Sequence, residues 1–191
     1  MGNFFGGVIL GLTNEPQSTR AWERGAIGEE QLAKALEGVK GVTSLHDRRV
    51  PGTRGNIDHI VIAPAGVFVV DAKRYQGLIH LRDRGGLFKR DERLFVGKRD
   101  CSHLAEKMGW QIEAVQRVLR SAGPEFADVP VEPVLCFIDG EWPLLFPPKS
   151  YAGVHLEGKR SIKTLATRTA VLDQGGIQRL APLLAEHLPA K

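Results

Sequence analysis

Over residues 57–63 and 66–73 the chain is almost uninterruptedly apolar, with Ile60, Val61, Ile62, Val67, Phe68, Val69 and Val70 filling positions that would point to both faces of a strand. Such runs predict strands buried on both sides, not an alternating, half-exposed pair. Pro64-Ala65 supplies a short turn between them, so the two strands should form a hairpin. Upstream, residues 22–36 carry Gly25, Leu32 and Leu36, with Val39 beyond them, at the i, i+3 or i+4 spacing of a helix. Further along, the pattern predicts strands near residues 42–45 and 78–82, then shorter ones near 87–89 and 94–96. A long helix follows over 103–120, with Leu104, Met108, Ile112, Val115 and Leu119 in register, ended by Gly123-Pro124. Strands at 131–138 and 153–156 bracket a proline-rich loop, and helices are expected at 161–168 and 176–187. The sum is an α/β fold with a central mixed sheet and helices on both faces.

Three ionic residues interrupt the apolar hairpin: Asp58, Asp71 and Lys73. A carboxylate in a buried strand needs a partner or a metal. Pairing Ala63 with Gly66 puts Asp58 opposite Asp71, at a cross-strand Cβ separation of roughly 4.5–5.5 Å. Alternation places Asp71 and Lys73 on one face. Two carboxylates and an ammonium then converge, a set suited to a hard divalent cation and to phosphodiester hydrolysis. The same residues also fit a structural ion pair between Lys73 and Asp71. On the preceding helix, about 100° per residue brings Glu29 near the apolar stripe and turns Glu30 toward water. Glu29 is therefore a third candidate acid, or an N-terminal acid serving the helix dipole.

At this point the segments GAIGEEQLAKAL, LHDRRVP and NIDHIVIAPAGVFVVDAKRYQGLI resemble the nuclease-related domain (NERD) of the PD-(D/E)XK nuclease superfamily. The resemblance spans residues 22–172, within a single domain expected over 21–191. It implies a restriction-endonuclease-like core, Mg²⁺ or Mn²⁺ as cofactor, and DNA as partner. The helix glutamate after Gly-x-x-Gly is Glu29, the first acid Asp58, and the acid-x-lysine motif Asp71-Ala72-Lys73. These imply Glu29, Asp58, Asp71 and Lys73 as catalytic residues, with the metal held by Glu29, Asp58, Asp71 and the Ala72 carbonyl. Gln111 on the later helix extends the likeness. A non-catalytic DNA-binding or assembly module with the same fold is the competing expectation.

Charge adds a substrate surface to this picture. The net charge of +4 is unremarkable, but residues 82–99 hold seven basic residues against three acids. With Arg48, Arg49 and Arg54 before the hairpin, and Arg74 and Gln76 after it, a basic rim is expected to track phosphates. His59 should face away from Asp58 as a core histidine, and His46 should belong to the surface.

Two cysteines, Cys101 and Cys136, without Cys-x-x-Cys or paired histidines, argue against zinc and fit a reducing cytoplasm. The N-terminal segment 1–20 combines an apolar stretch at 4–12 with a polar linker at 13–19. The stretch is too short to span a bilayer. It is expected to pack on its own domain or on a second copy, giving a homo-oligomer, with a membrane-surface anchor as the sharper alternative.

Overall fold

The structure, a computed structural model, describes residues 30–37, 39–86 and 89–191. The expected arm and linker (1–20), Glu29 and the start of its helix, and Leu87 of one short expected strand lie outside the described residues.

Helix α1 is described over residues 30–36. Its exposed side carries the i, i+4 pair Glu30–Lys34, with Nζ donating to Oε1 at 2.6 Å, and its buried side carries Leu32 and Leu36. Three antiparallel strands follow: β1 (Thr43–Arg49), β2 (Asn56–Ala63) and β3 (Gly66–Lys73). The chain then builds β4 (Gly77–Asp83), β5 (Glu92–Val96) and β6 (Arg99–Asp100), and next α2 (Ser102–Glu106), α3 (Gly109–Ala122) and α4 (Pro124–Ala127). Strand β7 (Val131–Phe137) returns to the first sheet, parallel to β3. After β8 (Gly140–Glu141) and β9 (Ser150–Tyr151), β10 (Val154–Gly158) pairs parallel with β7, and α5 (Ser161–Ala166) and α6 (Gln174–His187) complete the fold. The sheet orders are β1-β2-β3-β7-β10-β9 and β6-β5-β4-β8.

The six-stranded sheet separates two apolar layers. On one side Ile60, Ile62, Val67 and Val69 pack with Met108, Val115 and Leu119 and with Ile177, Leu180 and Leu184, the inward stripes of α3 and α6. On the other, Val61, Phe68, Val70 and Cys136 meet Leu32 and Leu36 of α1 and Ile162 and Leu165 of α5. A mixed sheet with helices on both faces is thus present, as the periodicity indicated.

Several local expectations are corrected. Strand β1 runs to Arg49, so Arg48 and Arg49 belong to the strand and not to a basic turn. The chain's last residues explain the extension: the Arg49 N–H donates to the Pro189 carbonyl at 2.8 Å, and the Lys191 N–H donates to the Asp47 carbonyl at 2.9 Å. The helix expected over 103–120 is two helices. Met108 bonds back to the Ala105 carbonyl and Gln111 to the Met108 carbonyl, three-residue steps that tighten the chain just before Gly109, a weak helix former. Of the short strand expected at 87–89, Lys89 is held only by an isolated bridge to Gly86.

The β2–β3 turn is fixed by glycine. Gly66 has φ +131°, and a Cβ there would lie 2.8 Å from the Pro130 carbonyl oxygen, which already accepts the Val67 N–H at 2.9 Å. Gly66→Ala is therefore expected to lower stability by about 1–3 kcal/mol. Urea unfolding measures this, and a smaller loss would mean that the turn relaxes without strain.

Candidate active site

The register of the hairpin brings the ionic residues together. Ala63 pairs with Gly66, and the ladder runs through Ile60↔Val69 to His59↔Val70. The ladder ends there, with Asp58 and Asp71 the next residues along the two strands. Asp71 and Lys73 share the face of Val67 and Val69, toward α3 and α6, and both are half-buried. The Lys73 Nζ donates to Asp71 Oδ1. Burial alone would pull the Lys73 pKa down, but the charge and hydrogen bond of Asp71, with the charges of Asp58 and Tyr75, outweigh it and leave the ammonium above the ordinary lysine value. Asp58 thus lies close enough to act on Lys73 across the strands.

Other residues surround this end of the sheet. Gln111 Nε2 donates to the Asn56 carbonyl at 3.4 Å, which ties α3 to the start of β2 two residues before Asp58. Trp110 covers Gly55, where a Cβ would lie 2.4 Å from the indole. Arg54 and Gln76 are exposed in the segments flanking the hairpin. Arg49 is exposed on β1. Arg74 points away and is taken by Asp139, Nε to Oδ2 at 2.6 Å. Arg48 is occupied too, donating to the Leu188 and Ala185 carbonyls at 2.6 and 2.7 Å at the end of α6. The basic β4–β5 hairpin largely neutralises itself: Arg90 pairs with Glu92, and Arg93 with Asp91 and Asp100. Arg99 stacks over Tyr75, its guanidinium carbon 4.7 Å from the ring centroid. Tyr75, two residues past Lys73, is the one neighbour of the ammonium that sequence reasoning missed, because a lone tyrosine after a strand carries no periodic signal.

Asp58 and Asp71 offer hard oxygen donors of the kind a divalent ion takes, one or two carboxylates completed by water and substrate oxygens. They fit such an ion. Among the described residues no group of three or more histidine, cysteine or acidic side chains is placed to hold a metal. Cys101 and Cys136 are free and buried, and burial pushes the Cys136 thiol up to about 12, so it is an inert core group.

A family model described as nuclease-related domain matches residues 24–138, more than half of the chain. The chain belongs to the nuclease-related domain family. No curated protein and no solved structure matches it. The NERD match contains the whole β2–β3 hairpin and ends one residue after β7.

Behind the hairpin lies a second polar feature that the pattern did not disclose. His46 and His59 are hydrogen-bonded through their Nδ1 atoms, 2.7 Å apart, and Ser44 Oγ lies 3.0 Å from His46 Nε2. His59 is buried, as its strand position indicated, whereas His46 is half-buried and not a surface residue. The pairing follows from the β1–β2 register, His46↔His59. Burial, and secondarily the His46 charge, pushes His59 down to about 3. The unfolded chain therefore takes up a proton near pH 6.5 that the folded chain refuses until about pH 3. Stability is full above pH 6.5 and should fall as pH drops through that window, by a few kcal/mol. Replacing His59 with Gln should remove one proton from the acid-limb uptake measured by unfolding across pH, and an unchanged slope would place the effect elsewhere.

Proposed function

We propose that this chain is a metal-dependent nuclease that hydrolyses phosphodiester bonds of DNA. The observation that carries the proposal is the Lys73–Asp71 hydrogen bond, with Asp58 close enough to act on the same ammonium, in a chain of the nuclease-related domain family. In this proposal Asp58, Asp71 and the Ala72 carbonyl hold Mg²⁺ or Mn²⁺, with Glu29, one residue before the described part of α1, as the third acid. When bound, the ion supplies Lewis-acid activation of a water and of the phosphate.

Lys73 has a definite part in this scheme. The hydrogen bond and charge of Asp71, with the charge of Asp58, favour its ammonium form, so in this proposal it acts as a donor. It would orient the attacking water and offset the charge that grows on the phosphoryl oxygens. Asp71 fixes the position of that ammonium by accepting its hydrogen bond. Arg54, Gln76 and Gln111 flank the same end of the sheet and are proposed to contact the DNA backbone, with Arg49 on the exposed side of β1. Arg48 and Arg74 carry structural bonds instead, which leaves them little capacity for phosphate. A cytoplasmic setting suits the two free cysteines.

One observation favours the competing module: the Asp71 carboxylate is already engaged by Lys73. The two proposals separate on cleavage of labelled linear, circular and single-stranded DNA with Mg²⁺, Mn²⁺ or EDTA. A nuclease requires cleavage that depends on metal and falls to the metal-free level in Asp58→Asn. Lys73→Ala should lower the rate about 10²–10³-fold while calorimetry still detects metal binding. Salt-sensitive DNA binding without any product would establish the module.

A further inference from the structure

Beyond the family-matched segment, at the far ends of β7 and β10, lies a cavity of about 640 Å³. Its size is that of a small-molecule site. The walls are Phe137, Trp142, Pro147 and Leu156, apolar and partly aromatic. The rim is cationic. Lys149, Lys159, Arg160 and Arg168 line it against a single carboxylate, Glu157, and among the described residues none of the four cations has an ion-pair partner. The Trp142 ring is seated by Gly158, where a Cβ would meet Nε1 at 3.1 Å, and among the described residues that Nε1–H has no acceptor. The cavity therefore offers a flat apolar body, one free donor and an excess of positive charge. A nucleotide, with its aromatic base and anionic phosphates, complements all three.

Position strengthens this match. Ile138, which lines the cavity, donates its N–H to the Lys73 carbonyl at 2.9 Å, and Phe137 pairs with Lys73 across the β3–β7 ladder. Strand neighbours lie about 4.7–4.9 Å apart. The cavity thus lies at the same end of the sheet as Lys73, one strand away. The loop that walls it rises to Leu144, Leu145 and Phe146, exposed by 100%, 78% and 94%. Apolar tips of this kind insert between bases and unstack them.

We propose that this cavity receives an unpaired base of a DNA strand next to the cleaved phosphate, with Trp142 stacking on the base and Lys149, Lys159, Arg160 and Arg168 holding the flanking phosphates. The assignment rests on the DNA-hydrolysis proposal and deepens it to a substrate with an unpaired nucleotide.

The test measures binding without cleavage. The full chain carrying Asp58→Asn is titrated in EDTA with a labelled single-stranded oligonucleotide and with the same backbone bearing abasic sites throughout. The base-bearing strand should bind about tenfold tighter. Trp142→Ala should abolish that preference and Trp142→Phe should retain most of it. Lys159→Gln with Arg168→Gln, both exposed, should weaken both strands and reduce the salt slope by about 1.4. Equal binding of the two strands by the parent protein would overturn the proposal, as would a preference that survives in folded Trp142→Ala. Should Trp142→Ala fail to fold, the parent's strand preference and the charge variant decide. A free mononucleotide that binds as tightly as the oligonucleotide would also overturn it. Metal-dependent cleavage with no base preference would remove the cavity assignment alone, and base preference without cleavage by the wild-type chain would remove hydrolysis alone.

Discussion

Burial of the β2–β3 hairpin on both faces is the constraint from which the rest of the molecule follows. Ile60, Val61, Ile62, Val67, Val69 and Val70 are all fully buried. Each contributes roughly 1.5–3 kcal/mol by leaving water. A slip of one residue would turn every one of them to the wrong layer, so register is strongly specified. Gly66 supplies the turn that this register needs, and Asp58, Asp71 and Lys73 are carried along as passengers of the same alignment. Their convergence is a by-product of core packing, which makes the site as rigid as the core itself.

The two layers divide the labour around that hairpin. The α3–α6 side holds the half-buried carboxylates and the ammonium, together with Gln111 tethered to the start of β2. The α1–α5 side holds the hydrogen-bonded histidines nearby on β1 and β2, and the apolar contacts of Leu32 and Leu36. Half-buried charge thus gathers at one end of the β2–β3 hairpin, while the Glu132–His155 pair links β7 and β10. The exposed surroundings of the sheet differ in kind: the β4–β5 hairpin pairs Arg90 and Arg93 with neighbouring acids, whereas among the described residues the cations around the Trp142 cavity have no ion-pair partner.

Much of this was legible in the chain because two-sided burial leaves an unmistakable trace. Continuous Val and Ile runs with polar interruptions identify the hairpin, its pairing and the three ionic residues without any long-range information. The α/β architecture followed from the same periodicity, and its nuclease-like character from the family resemblance. The roles of Arg48 and Arg74 did not, since a basic residue looks alike whether it meets a phosphate, the Leu188 carbonyl or Asp139. Nor did the His46–His59 contact, which depends on the partner strand β1 reaching further than its apolar residues suggest. The helix break before Gly109 was hidden for a related reason: Leu104 and Met108 keep helical spacing while the backbone tightens between them. The cavity was illegible because its wall and its rim come from four separate segments, each ordinary by itself.

The last residues of the chain bear on how the sheet meets its environment. Strand β1 is a terminal strand of the six, and the backbone groups of Arg49 and Asp47 that would otherwise face outward are occupied by Pro189 and Lys191, with Arg48 bolting the end of α6 alongside. Over Asp47–Arg49 the outer strand so covered offers no template to another chain. At the opposite margin β9, two residues long, leaves little backbone to pair with. The end of β1 is closed to strand exchange by the chain's own last residues.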